Sequence, residues 1–279
     1  MNAPIPHGIV HGLDIHEYHS MQGISKTGLD RIERSPVYYY ATTLDPNRPP
    51  EKERSGQLEG NLAHCAILEP DEFDKRYAVG PDVSRATKAW KEFEASLPAG
   101  VIGIKPDQRE TAMRQREQVL LLPDVAEALA TGYAEVSAFW ADPETGVLCR
   151  CRPDFVHPVG DDACVILDVK TYNTADPREF ARQVARKRYH VQNALYSDGY
   201  QHASGRHVLA FIFVTVSTEY PFEASATMLD ELSIEQGRAE YRHNLQTYAQ
   251  CLRAGQWPGY STGIETMTLP RWALTDIDY

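Results

Sequence analysis

Cys164-Val165-Ile166-Leu167-Asp168-Val169-Lys170-Thr171 is the stretch whose reading decides the fold. It is short, apolar and β-branched, and predicts a strand. Leu148 to Val156 predicts its partner strand, and His157-Pro158-Val159-Gly160-Asp161-Asp162 between them reads as the turn. Residues two apart in a strand share a face, so Asp168 and Lys170 point one way, Leu167 and Val169 the other. A carboxylate and an ammonium on one face of an apolar strand need pairing or ligation, because burying isolated charge is costly. Metal-assisted phosphodiester hydrolysis uses such a pair. Asp154, arriving from the neighbouring strand, and Asp168 are candidates to hold a hard divalent cation between them. Mg²⁺ takes carboxylate and carbonyl oxygens, and the Val169 carbonyl lies beside such a site. The ion would polarise the phosphate and acidify a water. Lys170 would orient that water or offset charge building on the phosphate.

Pro153-Asp154 followed by Asp168-Val169-Lys170 resembles the PD-(D/E)xK nuclease signature. The longer ordered set adds Gly60-Asn61-Leu62-Ala63-His64, Glu135-Val136-Ser137, and Gln192 with Tyr196. It resembles the exodeoxyribonuclease VIII (RecE) nucleases and the wider RecB and lambda-exonuclease group, from about Ile24 to Tyr260. A D-x-K triplet alone is weak, whereas the ordered set is specific. The resemblance implies an α/β fold: a mixed central sheet flanked by helices, with an N-terminal helical part. It implies His64 as a metal ligand or its close neighbour, although a lone histidine on an apolar helix is more often a satisfied core residue. It implies that Glu135 helps hold a second metal, against the alternative of a strand carboxylate paired with an arginine. Gln192 and Tyr196, four apart and so on one helix face, would close the active site; the alternative leaves Tyr196 in the core and Gln192 solvated. The resemblance further implies Mg²⁺, with Mn²⁺ as a substitute, and 5′-to-3′ digestion of linear double-stranded DNA from its ends. It implies a ring-shaped homo-oligomer and a recombination role beside a single-strand annealing protein. Asp168 replaces the commoner Glu and is shorter by a methylene; the family accepts either.

The rest of the chain is read around this centre as an arm (1–22), the nuclease domain (23–260) and a tail (261–279). The arm has room for a short strand around Gly8 to Leu13. Ser25 reads as the N-cap of a helix through Arg34. Either Ser25, Lys26 or Arg31 meets a DNA phosphate there, or the helix simply has a solvated basic face. Asp45 to Ser55 reads as a surface loop, Gly56 to Leu68 as a helix, and Pro106 to Thr131 as helices interrupted at Leu122-Pro123. Tyr133 to Ala141 alternates as a strand carrying Glu135. Arg150, Arg152 and Asp154 share a face if their strand is regular, so Arg152 either faces phosphate or balances the acids. Asp176-Pro177 starts a helix to about Ala203. It carries Arg178, Arg182, Arg186, Lys187, Arg188 and His190, the densest basic patch in the chain. That patch reads as phosphate-tracking or as a solvated face. His207 to Thr218 predicts a buried central strand, and Met228 to Ala254 a long amphipathic helix.

The 279 residues suit one large domain. A net charge of −11 is unusual for a nucleic-acid binder and demands a local basic groove. The five cysteines show no zinc-type spacing and read as reduced, buried thiols. No signal peptide or membrane-length apolar run is found, so a cytoplasmic protein with no membrane partner is expected. Two rivals remain: a structure-specific endonuclease of the same superfamily, and a catalytically silent DNA-binding or assembly module.

Overall fold

In the computed structural model, which describes residues 7–50, 56–261 and 263–274, the apolar run Cys164–Thr171 sits in the middle strand of the larger sheet. The chain begins with β1 (Gly8–Val10) and α1 (Ile15–Ser20), capped by the Asp14 carboxylate. Next come α2 (Lys26–Arg34) and α3 (Pro36–Tyr39), the latter running into a π-helical turn, Tyr40–Leu44. Positions 51–55 of the expected loop lie outside the described residues, as do 1–6 of the arm and 262 and 275–279 of the tail. Helices α4 (Gln57–Leu68) and α5 (Pro70–Arg76) lead to β2 (Tyr77–Val79), α6 (Lys88–Ser96) and β3 (Ile102–Ile104). Helices α7 (Pro106–Leu120) and α8 (Pro123–Thr131) part at the expected proline. Then follow β4 (Tyr133–Ala134), β5 (Ser137–Ala141), β6 (Leu148–Cys151), β7 (Phe155–Val159) and β8 (Ala163–Tyr172). The chain continues through α9 (Pro177–Lys187), α10 (Tyr189–Ser204), β9 (His207–Ser217), β10 (Ala224–Thr227) and α11 (Glu231–Ala254).

The five-stranded sheet has the order β10-β9-β8-β7-β4, with β8 and β9 parallel and the other neighbours antiparallel. Cys164 and Ile166 pack towards α10 and α11; Leu167 and Val169 pack towards α4 and α8. Both faces of β8 are therefore buried, which is why its apolar run is nearly continuous. Asp168 and Lys170 continue the α10 face. Their separation from Leu167 and Val169 follows the strand alternation read in the sequence.

Four local expectations are corrected. The turn between β7 and β8 is only Gly160–Asp162, because His157, Pro158 and Val159 pair with Val165, Cys164 and Ala163. Leu148–Val156 is not one strand: β6 pairs with β5 in a separate three-stranded sheet, and β7 starts afresh at Phe155. Pro153 lacks the N–H that a continuous ladder needs. The regular face proposed for Arg150, Arg152 and Asp154 therefore does not exist. Tyr133–Ala141 divides likewise at Glu135, whose φ of 53° turns the chain from one sheet into the other. The helix expected from Pro177 to Ala203 breaks at Arg188, which has φ 54° and separates α9 from α10.

Close helix contacts depend on two glycines. A Cβ on Gly199 would lie 2.2 Å from Trp140, and one on Gly237 would lie 2.2 Å from the His190 carbonyl oxygen. The second obstacle is backbone at the start of α10, which cannot swing aside as a side chain can. Gly237→Ala gains helix propensity of about 1 kcal/mol, yet the clash should outweigh it. We expect a net loss of about 1–3 kcal/mol, measured as a lower urea midpoint; an unchanged or higher midpoint would show that α11 can retreat.

Candidate active site

The site lies where two strands change sheet at the same level. The hairpin pairs Ala134 with Phe155 in one sheet and Ala138 with Cys151 in the other, so the segments between them leave both ladders. There the Glu135 N–H donates to the Asp154 carbonyl at 2.8 Å. Because β7 pairing ends at Phe155–Leu167, the next inward-facing amide of β8 on that edge has no strand partner. Val169 N–H donates instead to the Asp154 carboxylate, at 2.8 Å from Oδ2. A strand residue presents its N–H and carbonyl to the same edge, so the Val169 carbonyl also faces this crossing. His64, on α4, brings Nδ1 to 3.5 Å from Asp154 Oδ2. One ligand atom each from His64, Glu135 and Asp154 lie within 4.8 Å of one another.

Asp168 stands outside that trio, with no exposed surface. Its Oδ1 accepts a hydrogen bond from Gln192 Nε2 at 2.5 Å. Its Oδ2 is ion-paired with the Lys170 ammonium. Both carboxylate oxygens thus have a partner, one an amide and the other an ammonium. Tyr196, one turn beyond Gln192, packs edge-on against Phe211 with ring centroids 6.4 Å apart. Burial pushes its phenol well above the usual range, with Tyr18, Cys151, Asp168 and Asp154 acting in the same sense.

Charge in this cluster is poorly compensated. Burial, then repulsion from Asp168, raises Asp154 to about 7, against the pull of Lys170, the Val169 amide and Arg152. Burial and Asp154 also raise Glu135, which Arg152 partly offsets. Burial and Lys170 lower His64, leaving a neutral imidazole of the kind that ligates metal. For Lys170, burial opposes the ammonium, but Asp168 and Asp154 outweigh it and its pKa rises. Carboxylate oxygens, one backbone carbonyl and an imidazole form a donor set that suits a divalent cation.

The basic residues separate into two groups. Arg152 donates to Glu135 at 2.6 Å, to the Leu13 carbonyl at 2.8 Å and to Ser137 at 3.0 Å; it balances an acid. Arg31 donates to the Thr42 carbonyl and the Thr43 hydroxyl. Arg188 pairs with Asp30, Glu33 and Glu240, so it ties α2 and α11 to the α9–α10 break. By contrast, Arg182, Arg186 and Lys187 are exposed on α9, with Arg182 paired to Glu179 at 2.7 Å. Ser25 occupies the N-cap position of α2 but makes no side-chain cap bond. Motif reading missed Tyr189, whose ring lies 4.8 Å from the Lys170 ammonium. Its only sequence signal is the spacing of three to Gln192, which puts both on one helix face.

The Asp154 shift has a consequence for stability. Its folded pKa exceeds the unfolded value of 3.8, so its contribution is full below about pH 4 and lost as pH rises through about 7. His64, with a lowered pKa, runs in the opposite sense near pH 6.5. In chelator, replacing Asp154 by Asn should therefore stabilise the fold more at pH 8 than at pH 5, by at most roughly 3 kcal/mol. Urea unfolding at both pH values measures this, and an equal effect at both would refute the charge assignment.

Comparisons with known proteins bear on the family and the fold. A family model described as a PDDEXK-like domain of unknown function (DUF3799) matches residues 25–270. No curated protein matches the chain. Among solved structures, a candidate exonuclease from Eubacterium rectale superposes with a TM-score of 0.62 at 11% identity, covering 94% of this chain and 96% of that one. At that identity the likeness is one of fold. SSO0001 (TM-score 0.28, 14% identity, 49% of this chain and 66% of that one) is too distant to bear on the argument. So is VC1899 from Vibrio cholerae (TM-score 0.24, 11% identity, 84% and 58%). With a mixed sheet crossed by Pro153-Asp154 and followed by Asp168-Val169-Lys170, the chain belongs to the PDDEXK-like domain family DUF3799.

Proposed function

We propose that this protein is a divalent-metal-dependent deoxyribonuclease, acting as a 5′-to-3′ exonuclease on the ends of linear double-stranded DNA. The observation that carries the reading is the gathering of His64, Glu135 and Asp154 ligand atoms within 4.8 Å of one another, with the buried Asp168 carboxylate, held by Gln192 and Lys170, beside an Asp154 fixed by the Val169 amide. Structural ion pairs do not need that arrangement. Asp154, Asp168, His64 and the Val169 carbonyl would hold Mg²⁺, or Mn²⁺ in its place, with Glu135 beside them. The ion would supply Lewis-acid polarisation of the scissile phosphate.

The remaining roles belong to the chain. Hydrolysis joins a water oxygen to phosphorus, breaks one phosphorus–oxygen bond to a sugar and returns a proton to the departing oxygen. Lys170 orients the water or offsets charge building on the phosphate. Gln192 keeps Asp168 in one rotamer, and Tyr196 backs the same helix face. Arg182, Arg186 and Lys187 offer α9 as the surface that tracks the DNA backbone, a local basic face on an otherwise acidic chain. The resemblance to the exodeoxyribonuclease VIII group supports a recombination role beside a single-strand annealing protein, a homo-oligomer, and a cytoplasmic setting; among the described residues no helix is long and apolar enough to cross a membrane. The net charge of −11 favours a second reading, a non-catalytic binding or assembly module.

Digestion of linear duplex and covalently closed circular DNA, with Mg²⁺ and with chelator, separates these readings. We expect loss of linear DNA only, abolished by chelator and reduced at least about 10³-fold in Lys170→Ala, as expected when a transition-state charge stabiliser is removed. Cleavage of the circle would reassign the protein as an endonuclease. Salt-sensitive DNA binding without turnover would leave the module.

A further inference from the structure

Lysine is a poor fixed point in an active site. Its ammonium rides on a flexible four-carbon stem, and Asp168, the anion it touches among the described residues, is also a proposed metal ligand. Once a cation takes up that carboxylate, something else must hold Lys170 in register. The structure places an aromatic ring there. The Lys170 Nζ sits 4.8 Å from the Tyr189 centroid, within cation–π range. Lys170 is 15% exposed, so the contact is largely shielded from water.

The ring itself is braced. Tyr189 leans on Phe180 and Phe213, with centroids 6.1 and 6.0 Å away and planes inclined by 31° in both cases. It is the first residue of α10, immediately after the left-handed Arg188 that three carboxylates hold. Lys26 adds a further clamp: its Nζ donates to the Lys187 carbonyl at 2.8 Å, pairs with Asp30 at 2.7 Å and lies 5.8 Å from the same ring. Tyr189, Gln192 and Tyr196 are spaced by three and four, so one face of α10 presents a ring to Lys170 and an amide to Asp168. The break at Arg188 sets where that face begins.

We propose that Tyr189 is a positioning residue, whose ring keeps the Lys170 ammonium in its working place. This rests on the nuclease reading above and extends it to a residue outside the recognised motif. The ring, rather than the hydroxyl, does the holding, which makes the substitution pattern specific.

The test compares Tyr189→Leu and Tyr189→Phe in the full chain, on linear duplex at saturating Mg²⁺, with thermal unfolding recorded for each. We expect Tyr189→Leu to lower kcat roughly ten-fold with KM changed less than about two-fold, and Tyr189→Phe to recover most of that loss. In single-turnover reactions of Lys170→Gln at high enzyme concentration, adding Tyr189→Leu should cost nothing further, since the residue acts through Lys170. NMR of lysine labelled with ¹³C at Cε gives a readout independent of turnover. A ring-current shift on Lys170 should be present in the wild type and in Tyr189→Phe, and absent in Tyr189→Leu. Unchanged kcat in a folded Tyr189→Leu protein, a loss confined to KM, equal losses in both variants, or no ring-current shift would each overturn the proposal. A folded wild-type chain without turnover would instead remove the nuclease reading, and the positioning role with it.

Discussion

The hydrogen bond from the Val169 amide to the Asp154 carboxylate is the constraint around which the site is built. Every buried amide needs an acceptor, and β7, which begins at Phe155, does not extend far enough to supply one. A side chain takes the place of a strand. The bond therefore completes the sheet and fixes an acid beside the Val169 backbone at once. The cost appears next door: Glu135, a non-glycine residue, takes a left-handed conformation, worth about 1–2 kcal/mol. The hydrogen bond from its own amide to Asp154 offsets part of that strain.

Electrostatics in the crossing follow from the same geometry. Two strand ends and one strand middle deliver Glu135, Asp154 and Asp168 into a space with little water, where repulsion is weakly screened. Lys170 and Arg152 compensate only in part, and Glu135 and Asp154 remain displaced upward from their ordinary range, chiefly by burial. Such frustration is costly in a purely structural cluster, and it is the usual mark of a site that receives a cation or a substrate. Away from the crossing, cations that look alike in sequence have different uses. Arg188 is consumed by three acids and helps fix the start of α10, while Arg186 and Lys187, immediately before it in the chain, stay exposed on α9.

Regular patterns were legible and irregular ones were not. The β-branched run of β8, with its alternation, placed Asp168 and Lys170 on one face, and the tertiary fold keeps that face. The proline before α8 and the Asp176-Pro177 start of α9 were readable because capping and proline chemistry are local. The breaks at Glu135 and Arg188 were invisible, since neither residue type favours a left-handed conformation; each is held there by partners distant in sequence, as Arg188 is by Asp30 and Glu240. For the same reason Arg152 could be assigned to phosphate or to acid only once Glu135 was seen beside it.

The sequence by itself determined the period-two core strand, the order of acids and lysine along it, and the helices around it, because these depend on neighbours within a few residues. The tertiary structure decided that two strands would change sheet together, that His64 from α4 would meet Asp154, and that Tyr189 would lie against Lys170. Those contacts join segments from 19 to 90 residues apart. Their geometry is set by sheet register and helix packing, which no local pattern encodes.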